Sequence, residues 1–406
     1  MTQYKGLGYL RQKLNVKRQR VLTRYEYYEM KNRVRDFMIS TPPDLALWRS
    51  VLGWCATAVD ALADRIVFRE FEEDNFDLNE IFKMNNPDII FDSAVLSATI
   101  SSCCFIYISP DEEGYPRLQV IDGSNATGII DPITGLLEEG YAVLKRDNDT
   151  GNPILEAYFT KESTRYIRRG VRMDEVAAHK VGYPLLVPII FRPDAKRPFG
   201  HSRISRSCMA LVGSALRTIK RSEIAAEFFA YPQKYVTGLA EDAEPMEKWR
   251  AAMSSMLMFT DDGDGNHPVV GQFAQQSMEP HLAQLKMFAS LFAGETGLTL
   301  DDLGFATANP SSSEAIKAAH ENLRYTARKA QRSFGSGFLN TGYLAACLRD
   351  NYQYDRSQLY LTKAAWAPIF EPDAAALSGA GDALLKLQQA FPDYITDKKL
   401  YELTGI

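Results

Sequence analysis

Hydrophobic spacing along the chain sets out an order of elements before any other property is considered. After Asp44, the residues Leu47, Val51, Trp54, Ala58, Ala61, Leu62 and Ile66 recur three and four apart, which predicts an amphipathic helix ending near Arg65. The stretch Ala94 to Ile108 is mostly apolar but is broken by Ser97, Thr99, Ser101 and Ser102, and it falls short of the ~20 residues that cross a bilayer. It reads as a buried helix, from Phe91 to Ala98, running into a strand from Phe105 to Ser109 and a turn at Asp111-Glu112-Glu113-Gly114. A β-rich region follows. Its short apolar or alternating runs are Leu118 to Ile121, Gly128 to Ile130, Tyr141 to Leu144, Ile154 to Phe159 and Arg165 to Ile167, separated by Gly, Pro, Asn and Asp clusters. The strand Leu186 to Phe191 closes it.

From His201 the pattern turns helical, to about Ala230, where Tyr231-Pro232 breaks it. A compact strand-helix-strand insert extends to about Phe273, and helices resume at Met278. Ser311 and Glu314, after Asn309-Pro310, form a capping box that predicts a long helix to about Phe334. Residues 1 to 40 are rich in Arg, Lys and Tyr, and Ser40-Thr41-Pro42-Pro43 marks a segment boundary. No internal repeat or low-complexity tract interrupts this order. The mixture predicts an α+β fold.

Composition narrows the class. Apolar residues at 46% and charged residues at 24% are ordinary for a folded chain of 406 residues, which excludes disordered and collagen-like readings and allows two or three packed regions. The five cysteines (Cys55, Cys103, Cys104, Cys208, Cys347) are scattered, with no C-x-x-C pair, so neither a disulfide framework nor a zinc site is expected. The first twenty residues carry Lys5, Arg11, Lys13, Lys17, Arg18 and Arg20 without an apolar run, so secretion is not expected.

Candidate chemistry is sparse. On a helical wheel Arg203, Arg206, Arg217, Lys220 and Arg221 fall within an arc of about 100°, opposite Ile204, Leu211, Val212, Ala215, Leu216 and Ile219. This stripe is either a solvated, salt-bridged face or a contact with phosphate or a neighbouring subunit's acids. A second cluster, Lys317, Arg324, Arg328, Lys329 and Arg332, sits opposite Ile316, Ala319, Leu323, Ala330 and Phe334, and its position also suits the helix dipole. The run from Asp261 to Asn266 spaces oxygens like a calcium loop, but His267 replaces the required Gly and Phe273 the terminal Glu, so it reads as a hairpin turn. There is no P-loop, no G-x-S-x-G elbow and no second His for His320-Glu321; His179, His201, His267, His281 and His320 do not pair at metal-ligand spacing. No catalytic residue, cofactor or metal site is expected.

Several segments together resemble the portal family of long-tailed bacteriophages, over about Tyr25 to Gly337. They are Val59-Asp60-Ala61-Leu62-Ala63-Asp64-Arg65; Pro188-Ile189-Ile190-Phe191 followed by Gly200-His201-Ser202-Arg203-Ile204; the stretch from Ala226 to Gly238; and Asn309-Pro310-Ser311-Ser312-Ser313-Glu314-Ala315-Ile316. The chain departs from the family at Gly53-Trp54, where Asn-Trp is more usual, and at Ser101-Ser102-Cys103-Cys104, where Gly is common. The resemblance implies a portal fold with a mixed α/β wing (1–200), a stem helix (201–230), a small α/β clip (231–275), a second stem helix (278–296), a tunnel loop (297–311), the long helix and C-terminal part of the wing (312–369) and a helical crown (370–406).

It also implies a homo-oligomeric ring, typically a dodecamer, at a capsid vertex of the virion, assembled in the host cytoplasm. The ring would conduct double-stranded DNA without sequence specificity during packaging and ejection. Its implied partners are the terminase large subunit, major capsid and scaffolding proteins and a head-tail adaptor, with no membrane and no enzymatic activity. A connector or minor capsid protein is the alternative within phage heads, and a nucleic-acid hydrolase the alternative outside them. Within the implied tunnel loop stand Asp301 and Asp302 and no Lys or Arg. DNA contact there is therefore expected to be steric, through Leu298, Leu300, Leu303 and Phe305. On the stem, Arg203 and Arg206 are expected toward subunit contacts, and Arg217, Lys220 and Arg221 toward DNA or the neighbouring stem.

Overall fold

The computed structural model describes residues 4–35, 48–230, 234–237, 269–272, 277–305, 318–370 and 374–390. The Ser311 capping box, Lys317, the turn from Asp261 to Asn266 and His267 lie outside these residues. The chain divides into two compact units, one of residues 1–32, 53–209 and 294–406, the other of 33–52 and 210–293.

The first unit is built on a strand that is buried throughout its first six residues. Helix α4 (Pro87–Ser101) ends at Ser102, whose positive φ of 93° turns the chain directly into β2 (Cys103–Pro110). From Cys103 to Ile108 every residue is buried, which explains an apolar run in place of alternation. β2 pairs antiparallel with β3 (Pro116–Ile121) on one side and β9 (Leu186–Ile190) on the other. The chain between β3 and β9 forms an antiparallel meander of β4 (Ala126–Ile130), β5 (Leu137–Arg146), β6 (Pro153–Phe159), β7 (Ser163–Arg168) and β8 (Glu175–Ala178). Each predicted strand of this region is present.

Helix α1 (Leu7–Tyr28) crosses the meander, with Leu10 and Leu14 packed on Tyr141 and Val143 of β5. Its buried stripe is only Leu10, Leu14 and Val21, too narrow to stand out in a basic segment. α2 (Trp54–Ala63) starts later than the spacing from Leu47 predicts: residues 48–53 are not helical, and Val51 is 68% exposed. Strand β1 (Phe68–Glu72) and the short α3 (Leu78–Lys83) precede α4.

The long helix, here α7 (Glu321–Arg349), runs well past Phe334. Beyond that residue it is buried nearly all round (Phe338, Asn340 to Cys347), so the amphipathic signal fades where the helix enters the core. An aromatic cluster anchors it: Phe91 stacks on Phe68 at 3.8 Å and meets Phe338 edge-on at 4.6 Å. After α7, β12 (Lys363–Trp366) pairs antiparallel with β1, and α8 (Ala374–Ala390) is the last described helix.

In the second unit, the described elements are most of α5 (Arg206–Ala230), β10 (Lys234–Thr237), β11 (Val269–Gln272) and most of α6 (Glu279–Thr296). β10 and β11 pair antiparallel, Lys234 opposite Gln272. Thr218 of α5 donates to Gln284 of α6 at 3.1 Å.

Candidate functional site

The segment Gly200-His201-Ser202-Arg203-Ile204-Ser205 leads into α5, and its local chemistry explains its residue types. Gly200 has φ +74°, and a Cβ there would lie 2.0 Å from the Phe191 carbonyl oxygen, so only glycine fits. Ser205 is the N-cap of α5, its Oγ accepting from the Cys208 N–H at 3.1 Å and donating to Glu295 of α6 at 2.9 Å. The helix therefore begins at Arg206, and residues 201–205 do other work.

That work is to close the end of α4, whose last four carbonyls have no partner within the helix. Ala98 O accepts from Ser102 N–H, Thr99 O from Arg203 N–H at 2.9 Å, Ile100 O from Ser202 Oγ and Ser101 O from Arg24 at 3.0 Å. All four are satisfied. Arg203 itself is 6% exposed, and its guanidinium donates through Nε to Ala58 O at 3.1 Å and through Nη2 to Thr296 O at 2.5 Å. Burial among carbonyls, with no carboxylate bonded to it among the described residues, pulls the guanidinium down to about 10, still charged at neutral pH.

The basic stripe read from the wheel thus does not form one surface. Arg203 and Lys220 are buried, Arg217 and Arg221 half-buried and Arg206 exposed. Arg217 donates to Ser214 Oγ at 3.0 Å. On α6, Ala289, Phe292, Ala293 and Thr296 are buried, whereas Leu282, Met287 and Leu291 are 59%, 49% and 54% exposed.

The implied tunnel loop leaves α6 at Gly297 and is described as far as Phe305. Leu298 and Leu303 are buried, Leu300 is half-buried and Asp301 exposed. Asp302 accepts from Thr299 N–H at 2.8 Å, from Thr299 Oγ1 at 2.9 Å and from His320 Nε2 at 3.1 Å. Burial raises the Asp302 carboxyl, and these hydrogen bonds together outweigh it, so the net shift is downward. Phe305 meets Trp54 edge-on at 6.5 Å. The loop is rooted in its own subunit at Leu298, Asp302, Leu303 and Phe305.

Sequence reasoning missed the polar ties of α1. Glu139, 1% exposed, accepts from the Lys5 and Gly6 N–H groups at 2.7 and 3.1 Å and from Tyr158 at 2.9 Å. No local pattern signals a partnership across more than a hundred residues. Among the described residues no group of His, Cys, Asp and Glu is placed to hold a metal ion, and no helix is long and apolar enough to cross a membrane. All five cysteines are buried and free, and burial pushes the Cys55 thiol up to about 12.

Fold and site define an α+β subunit of two units, one a mixed body of helices and antiparallel sheets, the other a pair of helices with a short β-ribbon. The chain belongs to the phage portal protein family described as SPP1 Gp6-like, which matches residues 7–359 and whose members are structural, non-enzymatic proteins of phage heads. It is 23% identical to the portal protein of Mycobacterium phage L5 over 77% of this chain and 68% of that one, and 23% identical to the portal protein of Mycobacterium phage D29 over 89% and 77%. In fold it is similar to a chain from the virion of a native gene transfer agent particle, with a TM-score of 0.50 at 12% identity, covering 95% of this chain and 99% of that chain.

Proposed function

We propose that copies of this subunit close into a ring, a dodecamer, at one capsid vertex, and that the ring conducts double-stranded DNA into and out of the head. The observation that carries the reading is the arm. Ser205 meets Glu295, Thr218 meets Gln284 and Lys234 faces Gln272, so two helices and the ribbon between them follow one antiparallel register. Such a hairpin offers long side faces for identical neighbours around a hole. On α6, the exposed Met287 and Leu291, one turn apart, supply an apolar face for the neighbouring arm, and exposed Arg206 is available to a neighbour's acid, whereas Arg203 is used within the subunit.

A conduit must let the duplex slide, so strong phosphate binding at its narrowest point would be a defect. Residues 297–311 contain Asp301 and Asp302 and no cation. We assign the tunnel loop to this segment. Leu298, Leu303 and Phe305 brace it, and Leu300 and Asp301 stand nearest the DNA. The half-buried Arg217 and Arg221 remain assigned to the stem interface or the channel wall, whereas Lys220 is buried within its own subunit. The ribbon segment, 231–275, is the docking place for the terminase large subunit, which supplies the energy of translocation, and later for the head-tail adaptor. Major capsid and scaffolding proteins would meet the wing during assembly in the host cytoplasm.

End-on electron micrographs and native mass spectrometry test the ring: annular particles with a mass that is an integer multiple of 45.6 kDa are expected. A persistently monomeric chain overturns the reading. Deleting 299–304 should leave the ring intact and lower DNA retention in a packaging assay; unchanged retention removes the loop from the mechanism.

A further inference from the structure

Helix α7 and strand β12 enclose a groove of about 660 Å³ whose character differs from the rest of the wing. Arg328, Lys329 and Arg332 line it from the helix and Lys363 from the strand, beside Tyr325 and Trp366, and no carboxylate lines it. Among the described residues none of these four cations has a hydrogen bond or ion pair, although nearby cations on the same helix do: Arg324 pairs with Glu321 at 3.3 Å and Arg349 with Asp350 at 2.9 Å. Helix and strand approach closely because Gly335 lacks a side chain; a Cβ there would stand 3.1 Å from Ala364 Cβ.

The strand bordering the groove has an open edge. β1 and β12 form a sheet of two strands, and the far edge of β1 is closed by the Asn79 side chain, which exchanges two 2.8 Å hydrogen bonds with the Phe71 backbone. No strand among the described residues pairs with the far edge of β12. Ala367 N–H donates to Val67 O, so alternation along β12 turns the N–H groups of Ala364 and Trp366 toward the open side.

We propose that this groove docks an extended acidic peptide segment of a partner protein, which adds to β12 as a third strand. Side chains of an added strand alternate, so one set points down onto α7 and the other toward solvent. Acidic residues in the lower set would meet Arg328, Lys329 and Arg332. The stripe from Tyr325 to Leu339 is ~21 Å long at 1.5 Å per residue, which matches about six residues of extended chain at ~3.3 Å each. A duplex is the poorer fit. An exposed strand edge offers donors and acceptors in alternation, and phosphates accept but cannot donate, so only a peptide backbone satisfies both.

The test uses the full-length chain and a short fluorescein-labelled peptide of alternating Glu and Val, followed by anisotropy at physiological salt. Saturable binding is expected, weakened about tenfold or more by the pair Arg328→Glu and Arg332→Glu and by N-methylation of alternate peptide amides. Circular dichroism of the variant, whose two positions are exposed, should match the parent. Slower amide exchange at Ala364 and Trp366 on peptide addition is expected as well. Four results overturn the proposal: no binding by the parent chain; equal binding of the N-methylated peptide; equal binding of a peptide with Lys in place of Glu; or a short DNA duplex displacing the peptide at lower concentration than the unlabelled peptide does. Protection of those amides in the ring without peptide, lost when the subunits dissociate, also overturns it, because a neighbouring copy would then hold the groove.

Discussion

Replacing Arg203 separates two opposing physical effects just before α5. Among the described residues the buried guanidinium is bonded to two backbone carbonyls and to no acid, so its desolvation is offset by Ala58 O and Thr296 O. Arg203→Met keeps most of the volume and removes the charge. If the carbonyl bonds dominate, Thr296 O at the end of α6 is left unpaired at ~1–3 kcal/mol, while Ala58 O, inside α2, keeps its helical bond from Leu62 N–H and loses only its second donor. Relief from burying a charge returns part of that, so a net loss of roughly 1–2 kcal/mol is expected. Arg203→Ala should cost about 1–2 kcal/mol more for the cavity. The assay is urea unfolding of the full chain at fixed chain concentration, because assembly would otherwise shift the midpoint. Tryptophan emission is a suitable probe, since Trp54 lies one turn from Ala58 in α2. A Met variant as stable as the parent, or more stable, would refute the reasoning: desolvation would then outweigh the bonds, as it does in some buried ion pairs.

The other expectations are simpler. Gly200→Ala places a methyl group against Phe191 O at a positive φ, so a loss above ~2 kcal/mol and a sharp fall in soluble yield are expected; near-normal thermal unfolding would contradict the strained turn. Phe338→Ala removes a ring at the centre of the Phe68, Phe91 and Trp366 cluster and should cost ~3–5 kcal/mol by denaturant unfolding. The Asp302 carboxyl is lowered in the folded chain, so the order it lends the loop is complete above the ordinary carboxylate pKa of about 3.9 and disappears as pH falls through the lowered value. Trp54 emission, sensitive to Phe305, should report that acid step, and Asp302→Asn should abolish it; an identical titration in the variant would discount the carboxylate.

The fold was legible wherever a local period survives. Strands β3 to β7 lie between turn residues at intervals that pairing requires, and the joint of α4 and β2 was visible because an apolar run of that length suits a buried helix and strand. α1 was not legible, since Leu10, Leu14 and Val21 are a thin stripe and its position depends on Glu139, Glu156 and Gly128, all more than a hundred residues away. The true end of α7 was hidden by its success as a core helix: a helix buried on all sides has no polar face to give it away. For the arm, the wheel located the cations and not their use. Arg203 precedes the helix it was plotted on, so its angle on the wheel had no structural meaning.

The internal use of cations bears on the conduit reading more than their number does. The sequence has 46 Lys and Arg residues against 51 Asp and Glu, a mild acidity if all are taken as surface groups. Arg24 and Arg203 each cap a helix C-terminus, at Ser101 of α4 and Thr296 of α6, and Lys13 and Lys17 donate to the carbonyls of Gly128 and Ala126 in β4. These charges meet backbone dipoles and are withdrawn from long-range attraction to phosphate. Glu139 is as buried as Arg203, and Asp122, Glu156 and Asp302 are half-buried like Lys13, Lys17 and Arg24, so cations and carboxylates are withdrawn together and the outward surface keeps the mild acidity of the formal charge. The proposed ring would multiply that surface charge by its number of copies. Repulsion spread over the particle, with outward cations such as Arg328, Lys329 and Arg332 gathered in a groove, suits a channel through which DNA passes without being held.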